Sequence, residues 1–171
     1  GPGPRPSGSL MVIALDLDAI REIAASVDDP ELPHVTIGDL GMVRAVEQHG
    51  DRVRITLTPT YTGCPATEEI LADVRSALSA AHIDAEVTMV MSPAWTTDWI
   101  TDAGREKLRA VGIAPPAPAG QQPSVMLDLP VACPRCGSRR THRIADFGAT
   151  ACKAPYRCNA CKEPFESFKS L

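Results

Sequence analysis

The chain has 171 residues, with 44% apolar and 22% charged, enough for one ordinary domain or a domain plus a small module. The formal net charge is −4, which excludes a chain-wide polycation that coats nucleic acid. No run approaches the roughly 18 consecutive apolar residues needed to cross a bilayer.

The opening residues 1–10 read as a tag remnant or disordered lead-in, with no basic start and apolar run of a signal peptide. A cytoplasmic setting is expected. Charge then divides the chain. Residues 1–130 carry 9 Lys/Arg against 18 Asp/Glu, whereas residues 131–171 carry 8 against 3. Cysteine divides it the same way, since Cys64 stands alone and the other five fall between 133 and 161. Two modules are expected: an α+β domain over 11–113 and a cysteine module over 125–171. Residues 114–124, rich in proline and without charge, form a stiff linker between them.

In the first module, Asp16 or Asp18 can cap a helix whose Leu17, Ile20, Ile23, Ala24 and Val27 recur at helical spacing. Pro30 and Pro33 end it. Strands are expected over Met42–Gln48 and Arg52–Thr58, joined by the turn His49-Gly50-Asp51. Val53, Ile55 and Leu57 alternate with Arg52, Arg54 and Thr56, so one face is buried and one is wet. After Cys64-Pro65 comes an amphipathic helix with Ile70, Leu71, Val74, Ala77, Leu78 and Ala81 on one face. A strand over Ala85–Met91 and a short helix from Thr97 or Asp98 to Val111 complete the module. The order α-β-β-α-β implies a three-stranded sheet with helices on one face. Trp95 and Trp99 are expected to pack on it, and His49 and His82 to lie at the surface.

The cysteine module is too short for a self-sufficient core without a staple. Cys133-Pro134-Arg135-Cys136 and Cys158-Asn159-Ala160-Cys161 are two knuckles separated by 21 residues. Such pairs close a tetrahedral four-thiolate shell at metal–sulfur distances of about 2.3 Å, which favours structural zinc. Iron of the rubredoxin kind uses the same ligands, and disulfides suit an oxidising compartment instead. Basic Arg135, Arg139, Arg140 and Arg157 can balance the charge of the thiolates. Cys152 has three readings: an alternative ligand, a reactive thiol beside Lys153, or a small buried thiol.

Cys64 has two readings. With Pro65 at the first helical position it falls at or near the N-cap, where helix amides favour a thiolate. It also suits a buried, cap-like thiol. Thr60 and Thr62 offer hydroxyls to a ligand, and Asp29 and Glu31 offer carboxylates, although both also suit turn chemistry. No Gly-rich phosphate loop, HExxH or GxSxG is present, nor the paired Glu-x-x-His helices of a di-iron bundle.

Residues 28–65 resemble the SufT-like family, also known as domain of unknown function 59. The resemblance rests on Asp29-Pro30-Glu31-Leu32-Pro33, Asp39-Leu40-Gly41 and the threonine-rich approach to Cys64-Pro65, and it covers roughly residues 15–92. It implies a role in maturing iron–sulfur and related metal centres, with Asp29, Glu31, Thr60, Thr62 and Cys64 as the shared positions. Pro93 to Ile100, Gly104 to Arg109, Gly112 to Pro116, the first knuckle and the stretches around Cys152 and Cys158 resemble the PaaD (PaaJ) family. That family belongs to the bacterial phenylacetyl-CoA epoxidase cluster of aerobic phenylacetate degradation. The resemblance implies an accessory component, more a maturation factor than an enzyme. It would carry structural zinc and transiently hold iron or an iron–sulfur cluster. Its partners would be the epoxidase oxygenase subunits or the iron–sulfur flavoprotein reductase, docked through the ribbon, with a homo-oligomer as a further candidate assembly. The rival from a different class is a non-catalytic structural component that bridges the others of the epoxidase. A nucleic-acid-binding ribbon is disfavoured by the acidic first module and the scarcity of aromatic residues, and no membrane partner is expected.

Overall fold

The computed structural model describes residues 15–61, 63–117 and 130–169. The expected lead-in, Thr62, residues 118–124 of the linker and the first residues of the cysteine module lie outside the described residues.

Helix α1 (Leu17–Ala25) begins where the sequence indicates, because the Asp16 carboxylate accepts hydrogen bonds from the Asp18 and Ala19 amides at 3.1 Å. Ile20 and Ala24 face the core. Strands β1 (Val43–His49) and β2 (Arg52–Leu57) pair antiparallel around Gly50, whose φ of 67° suits a residue without a side chain. Helix α2 (Thr67–Ala80) buries Ile70, Leu71, Val74 and Leu78; Ala77 is half-buried and Ala81 is exposed. Each large aliphatic side chain removed from water there contributes about 1.5–3 kcal/mol. Strand β3 (Ala85–Met89) then lies parallel to β2, as a crossover through a helix requires.

The sheet order is β1-β2-β3. Val53, Ile55 and Leu57 are buried on its helix-covered face, while Arg54 is exposed on the other. There Glu47, Arg54 and Glu86 share one register line, with Arg54 paired to Glu86 at 3.2 Å.

The helix expected from Thr97 or Asp98 to Val111 is interrupted. A 3₁₀ turn, Thr97–Trp99, is followed by α3 (Asp102–Ala110). Thr101 separates them because its hydroxyl accepts from the Gly104 amide at 3.0 Å and its own amide donates to the Asp39 carbonyl at 2.9 Å. The chain must turn to make both contacts, so a continuous helix is not possible. Asp39 anchors this corner. Its carboxylate accepts from the Thr36 amide at 3.0 Å and from Lys107 at 2.7 Å. Gly41, at φ 68°, lies so close to Trp99 that a Cβ would collide with the Trp99 backbone.

A second, four-stranded sheet has the order β4-β7-β6-β5, from β4 (Ile113–Ala114), β5 (Thr141–Arg143), β6 (Lys153–Cys158) and β7 (Pro164–Phe168). Strand β4 joins Ile113 of the first module to Ala114, expected as the first linker residue, and pairs in parallel with β7 of the cysteine module, so the expected linker boundary is corrected: Ala114 is sheet because β7 takes up its backbone. Phe168 and Cys152 are buried in the same apolar cluster as Ile20, Leu57 and Leu78. Trp95 also belongs to that cluster, and Trp99 packs against its edge beneath the Arg44 guanidinium at 3.5 Å. A smaller cluster of Ala114, Cys133, Ala154, Tyr156, Cys158 and Phe165 fills the ribbon. Among the described residues no helix is long and apolar enough to cross a membrane.

Candidate metal centre and the Cys64 site

The two knuckles meet. The sulfurs of Cys133, Cys136, Cys158 and Cys161 all lie within 4.8 Å of one another, with Cys133 to Cys161 at 3.8 Å and Cys136 to Cys158 at 3.6 Å. Tetrahedral coordination at about 2.3 Å places sulfurs about 3.8 Å apart, so the donor set fits one metal ion. All six cysteines are free thiols. The knuckle geometry comes from local turns: Gly137 at φ 73° donates its amide to the Cys133 carbonyl at 2.9 Å, and Lys162 at φ 67° closes the second turn.

Electrostatics divide the four thiols. The amide of Cys161, aided by that of Ala160, holds the Cys158 thiol down at about 6 against the cost of desolvation. At Cys161 the Glu163 amide is outweighed by desolvation and by the sulfurs of Cys158, Cys136 and Cys133, which push that thiol up to about 11. Four adjacent thiolates repel unless a cation lies among them. Arg135, paired with Glu163 at 2.7 Å, lies on the exposed side of the first knuckle.

The second site lies where the α1–β1 loop and the β2–α2 loop approach. Asp29 is buried, its carboxylate accepting from the Glu31 amide at 2.8 Å while its own amide donates to the Val35 carbonyl at 2.8 Å. Burial pushes the Asp29 carboxyl up, opposed by the Glu31 and Leu32 amides, and the neighbouring Glu31 charge adds to the rise. Thr60 is buried on the segment leaving β2, and Cys64 is half-buried. The carbonyl of Cys64 accepts from the Thr67 amide at 3.2 Å, but the N-cap of α2 is Ala66, without a side-chain cap. The expectation that Pro65 is the first helical residue is therefore corrected, and Cys64 lies near the N-cap rather than at it. Pro65 and Ala66 form a turn ahead of the helix, which sets Cys64 two residues before its cap.

Tyr61, which no sequence motif singles out, is electrostatically linked to Cys64. Burial raises its phenol, and its interaction with Cys64 and the charges of Glu31 and Cys152 raise it further. An aromatic residue three positions before a candidate thiol is the one sequence signal available for it. The structure thus brings Tyr61, Cys64 and Glu31 within electrostatic reach, with Asp29 beside Glu31. Cys152 stands outside the four-sulfur cluster. It is 4% exposed, 3.0 Å from the Thr150 hydroxyl, and its thiol is raised by burial and by the charges of Glu31 and Asp29, against Thr150 and Lys153.

Comparison with known proteins accords with this division. Residues 17–90 match the iron–sulfur cluster assembly protein family, and residues 118–169 match the PaaD zinc beta ribbon domain. Over 153 residues, 89% of this chain and 92% of the relative, the sequence is 48% identical to the D component of the putative 1,2-phenylacetyl-CoA epoxidase of Escherichia coli K12. Over 75 residues, 42% of this chain and 72% of the relative, it is 41% identical to the Fe-S protein maturation auxiliary factor YitW of Bacillus subtilis. A crystal structure of the domain of unknown function DUF59 from Bacillus anthracis matches with a TM-score of 0.50 and 30% identity, covering 54% of this chain and 90% of that one. The first relative spans both modules, and the chain therefore belongs to the PaaD family of phenylacetyl-CoA epoxidase components: an iron–sulfur-assembly domain followed by a zinc beta ribbon.

Proposed function

We propose that this protein is an accessory maturation factor that holds iron or an iron–sulfur cluster at Cys64 and passes it to a component of the phenylacetyl-CoA epoxidase. The observation that carries this reading is the grouping of Cys64, Tyr61 and Glu31, with Asp29 beside Glu31, inside a domain that matches the iron–sulfur cluster assembly family. Thiolate and carboxylate together suit a ferrous ion, which is borderline in softness. In this reading Thr60 and Thr62 supply hydroxyls to the cargo, and Asp29 shapes the loop that presents Glu31.

The ribbon holds zinc through Cys133, Cys136, Cys158 and Cys161, and the metal supplies folding energy to a module with a small core. Its other task is docking. Ile144 and Phe147 are exposed at 55% and 71% on the connection between β5 and β6, beside a net positive module. An acidic, partly apolar surface on the oxygenase or on the iron–sulfur flavoprotein reductase fits it.

The test is to express the epoxidase components with wild-type protein, with Cys64→Ser, or without the chain, and to assay metal content of each purified component. The expected result is that Cys64→Ser matches omission of the chain. Full metal loading with Cys64→Ser would instead make the protein a structural piece that only bridges epoxidase components.

A further inference from the structure

We propose that the outer edge of β3 is a self-complementary docking edge for a second copy of this chain. The two β3 strands pair antiparallel about a two-fold axis at Thr88, and Met91 of each copy fills a groove on the other. The edge lies outside the Cys64 site, and its test does not depend on that reading.

The first sheet has two outer edges, β1 and β3. The β1 edge is blunted: a register shift between Val43 and Ala45 breaks its ladder, and Arg44, Glu47 and His49 are exposed along it. The β3 edge has no such protection. Its ladder with β2 runs unbroken from Val53 opposite Ala85 to Leu57 opposite Met89. The Val53 amide donates to the Asp84 carbonyl at 3.1 Å, and the Val90 amide donates to the Leu57 carbonyl at 2.8 Å. In a parallel ladder the backbone groups alternate, so Glu86, Thr88 and Val90 turn theirs toward β2 while Ala85, Val87 and Met89 turn theirs outward. Of these outward groups only the Val87 carbonyl has a partner among the described residues, the Arg75 guanidinium at 3.2 Å. That carbonyl keeps a second lone pair. A regular row of open amides and carbonyls is a template for one more strand.

Beside the start of this edge, an open groove of about 560 Å³ lies between the end of α2 and β3, lined by Arg75, Ser79, His82, Ile83, Asp84 and Ala85. Beyond the other end of the edge, Met91 is 51% exposed. Antiparallel pairing brings these two features together. With the axis at Thr88, Ala85 lies opposite Met91 of the second copy, and Val87 lies opposite Met89. Odd-numbered positions share the pleat face of buried Val87, so Met91 arrives on the helix-covered face, where α2 borders the groove. The small Ala85 leaves room there, and methionine adapts to irregular space. Each copy supplies one Met91 and one groove, which closes the pair.

The charges select the occupant. Residues Ala85 to Met91 include one charged side chain, Glu86, which is already paired with Arg54 at 3.2 Å. In this register it lies opposite uncharged Val90 of the second copy, and Thr88 meets its own counterpart, a favourable cross-strand pair. A strongly charged client strand of either sign finds no counter-charge along this strip. Seven residues span about 23 Å. Such an interface is at the small end of specific ones, so the dimer is expected to form in the micromolar range.

The test follows full-length, zinc-loaded protein by sedimentation velocity across the micromolar range. A monomer–dimer equilibrium is expected. Met91→Glu should weaken it at least tenfold and leave the circular dichroism spectrum unchanged, because that side chain is exposed in the single chain. Thr88→Cys locates the axis. In a non-hydrogen-bonded antiparallel pair the two Cα atoms lie about 4.5 Å apart, within disulfide reach. Oxidised glutathione should therefore convert Thr88→Cys to a linked dimer whose peptide map joins position 88 to position 88. Glu86→Cys, displaced about 13 Å along the strands from its own counterpart, should not link to itself. A protein that is monomeric throughout overturns the proposal. A dimer that Met91→Glu leaves intact overturns it as well, as does one in which Thr88→Cys fails to link or Glu86→Cys links as readily.

Discussion

The ring of Trp95 meets the ring of Phe168 at 5.9 Å with the planes tilted by 54°. Trp95 follows the last strand of the first sheet, and Phe168 ends the last strand of the second. The Trp95 indole N–H also donates to the Leu40 carbonyl at 2.7 Å, so its orientation is fixed from the first module. Phe168 therefore closes a core that the first module does not complete alone. Phe168→Ala should cost about 3–5 kcal/mol, as other buried aromatic truncations do. Urea unfolding should show the loss in a transition reported by α1 and α2. A first-module transition left at its wild-type midpoint would contradict this coupling.

Removal of the ribbon metal should propagate in the same way. With a strong chelator β5, β6 and β7 lose the centre that joins their ends, and β7 carries Phe168 while β6 follows Cys152. The first module should remain folded but with a lower midpoint, by more than the few degrees that about 1 kcal/mol produces. Circular dichroism melts with and without chelator, read alongside zinc release, check this. An unchanged melt of the first module would mean that the two cores are independent.

The Asp39 carboxyl is held below its usual range. Burial alone would raise it, but the Lys107 ammonium at 2.7 Å and the Thr36 amide and hydroxyl outweigh that cost. A depressed acid contributes stability that is present above the unfolded value of 3.8 and lost as pH falls through the lower folded value. Asp39→Asn should therefore destabilise the chain by about 1.5–3 kcal/mol at neutral pH. The difference from wild type should shrink as pH falls below the unfolded value, which a pH series of denaturant midpoints measures.

Asp29 has the opposite sign. Its carboxyl is raised chiefly by burial, so the folded state prefers the protonated acid. That contribution is present below 3.8 and lost as pH rises through the folded value. Asp29→Asn keeps an oxygen to accept the Glu31 amide and removes a buried charge. It should raise stability at pH 7 by about 0.5–2 kcal/mol, the usual range when a site's strain is relieved, while weakening metal handling. A variant that is less stable than wild type at pH 7 would show that the charge itself supports the loop.

Much of this protein is legible in its sequence because the relevant signals are local. The alternation of Val53, Ile55 and Leu57, the helical period of Ile70, Val74 and Leu78, and the Asp16 cap each depend on neighbours within a turn or a strand. The two CxxC knuckles are local as well, and thiolate chemistry leaves them few alternatives to meeting. The breaks in the reading occur where a distant partner decides. Thr101 stops a helix because Asp39, far away in sequence, takes its amide. Ile113 and Ala114 join the ribbon sheet because β7, far along the chain, presents Glu166 and Ser167 in parallel register. Cys152 has no motif that says which core it enters. Packing places it against the first module, since burial of Phe168 on Trp95 draws the start of β6, which is paired to the end of β7, to the same side. Short-range periodicity cannot encode that choice. It is made by which apolar surfaces must be removed from water together once the strands have paired.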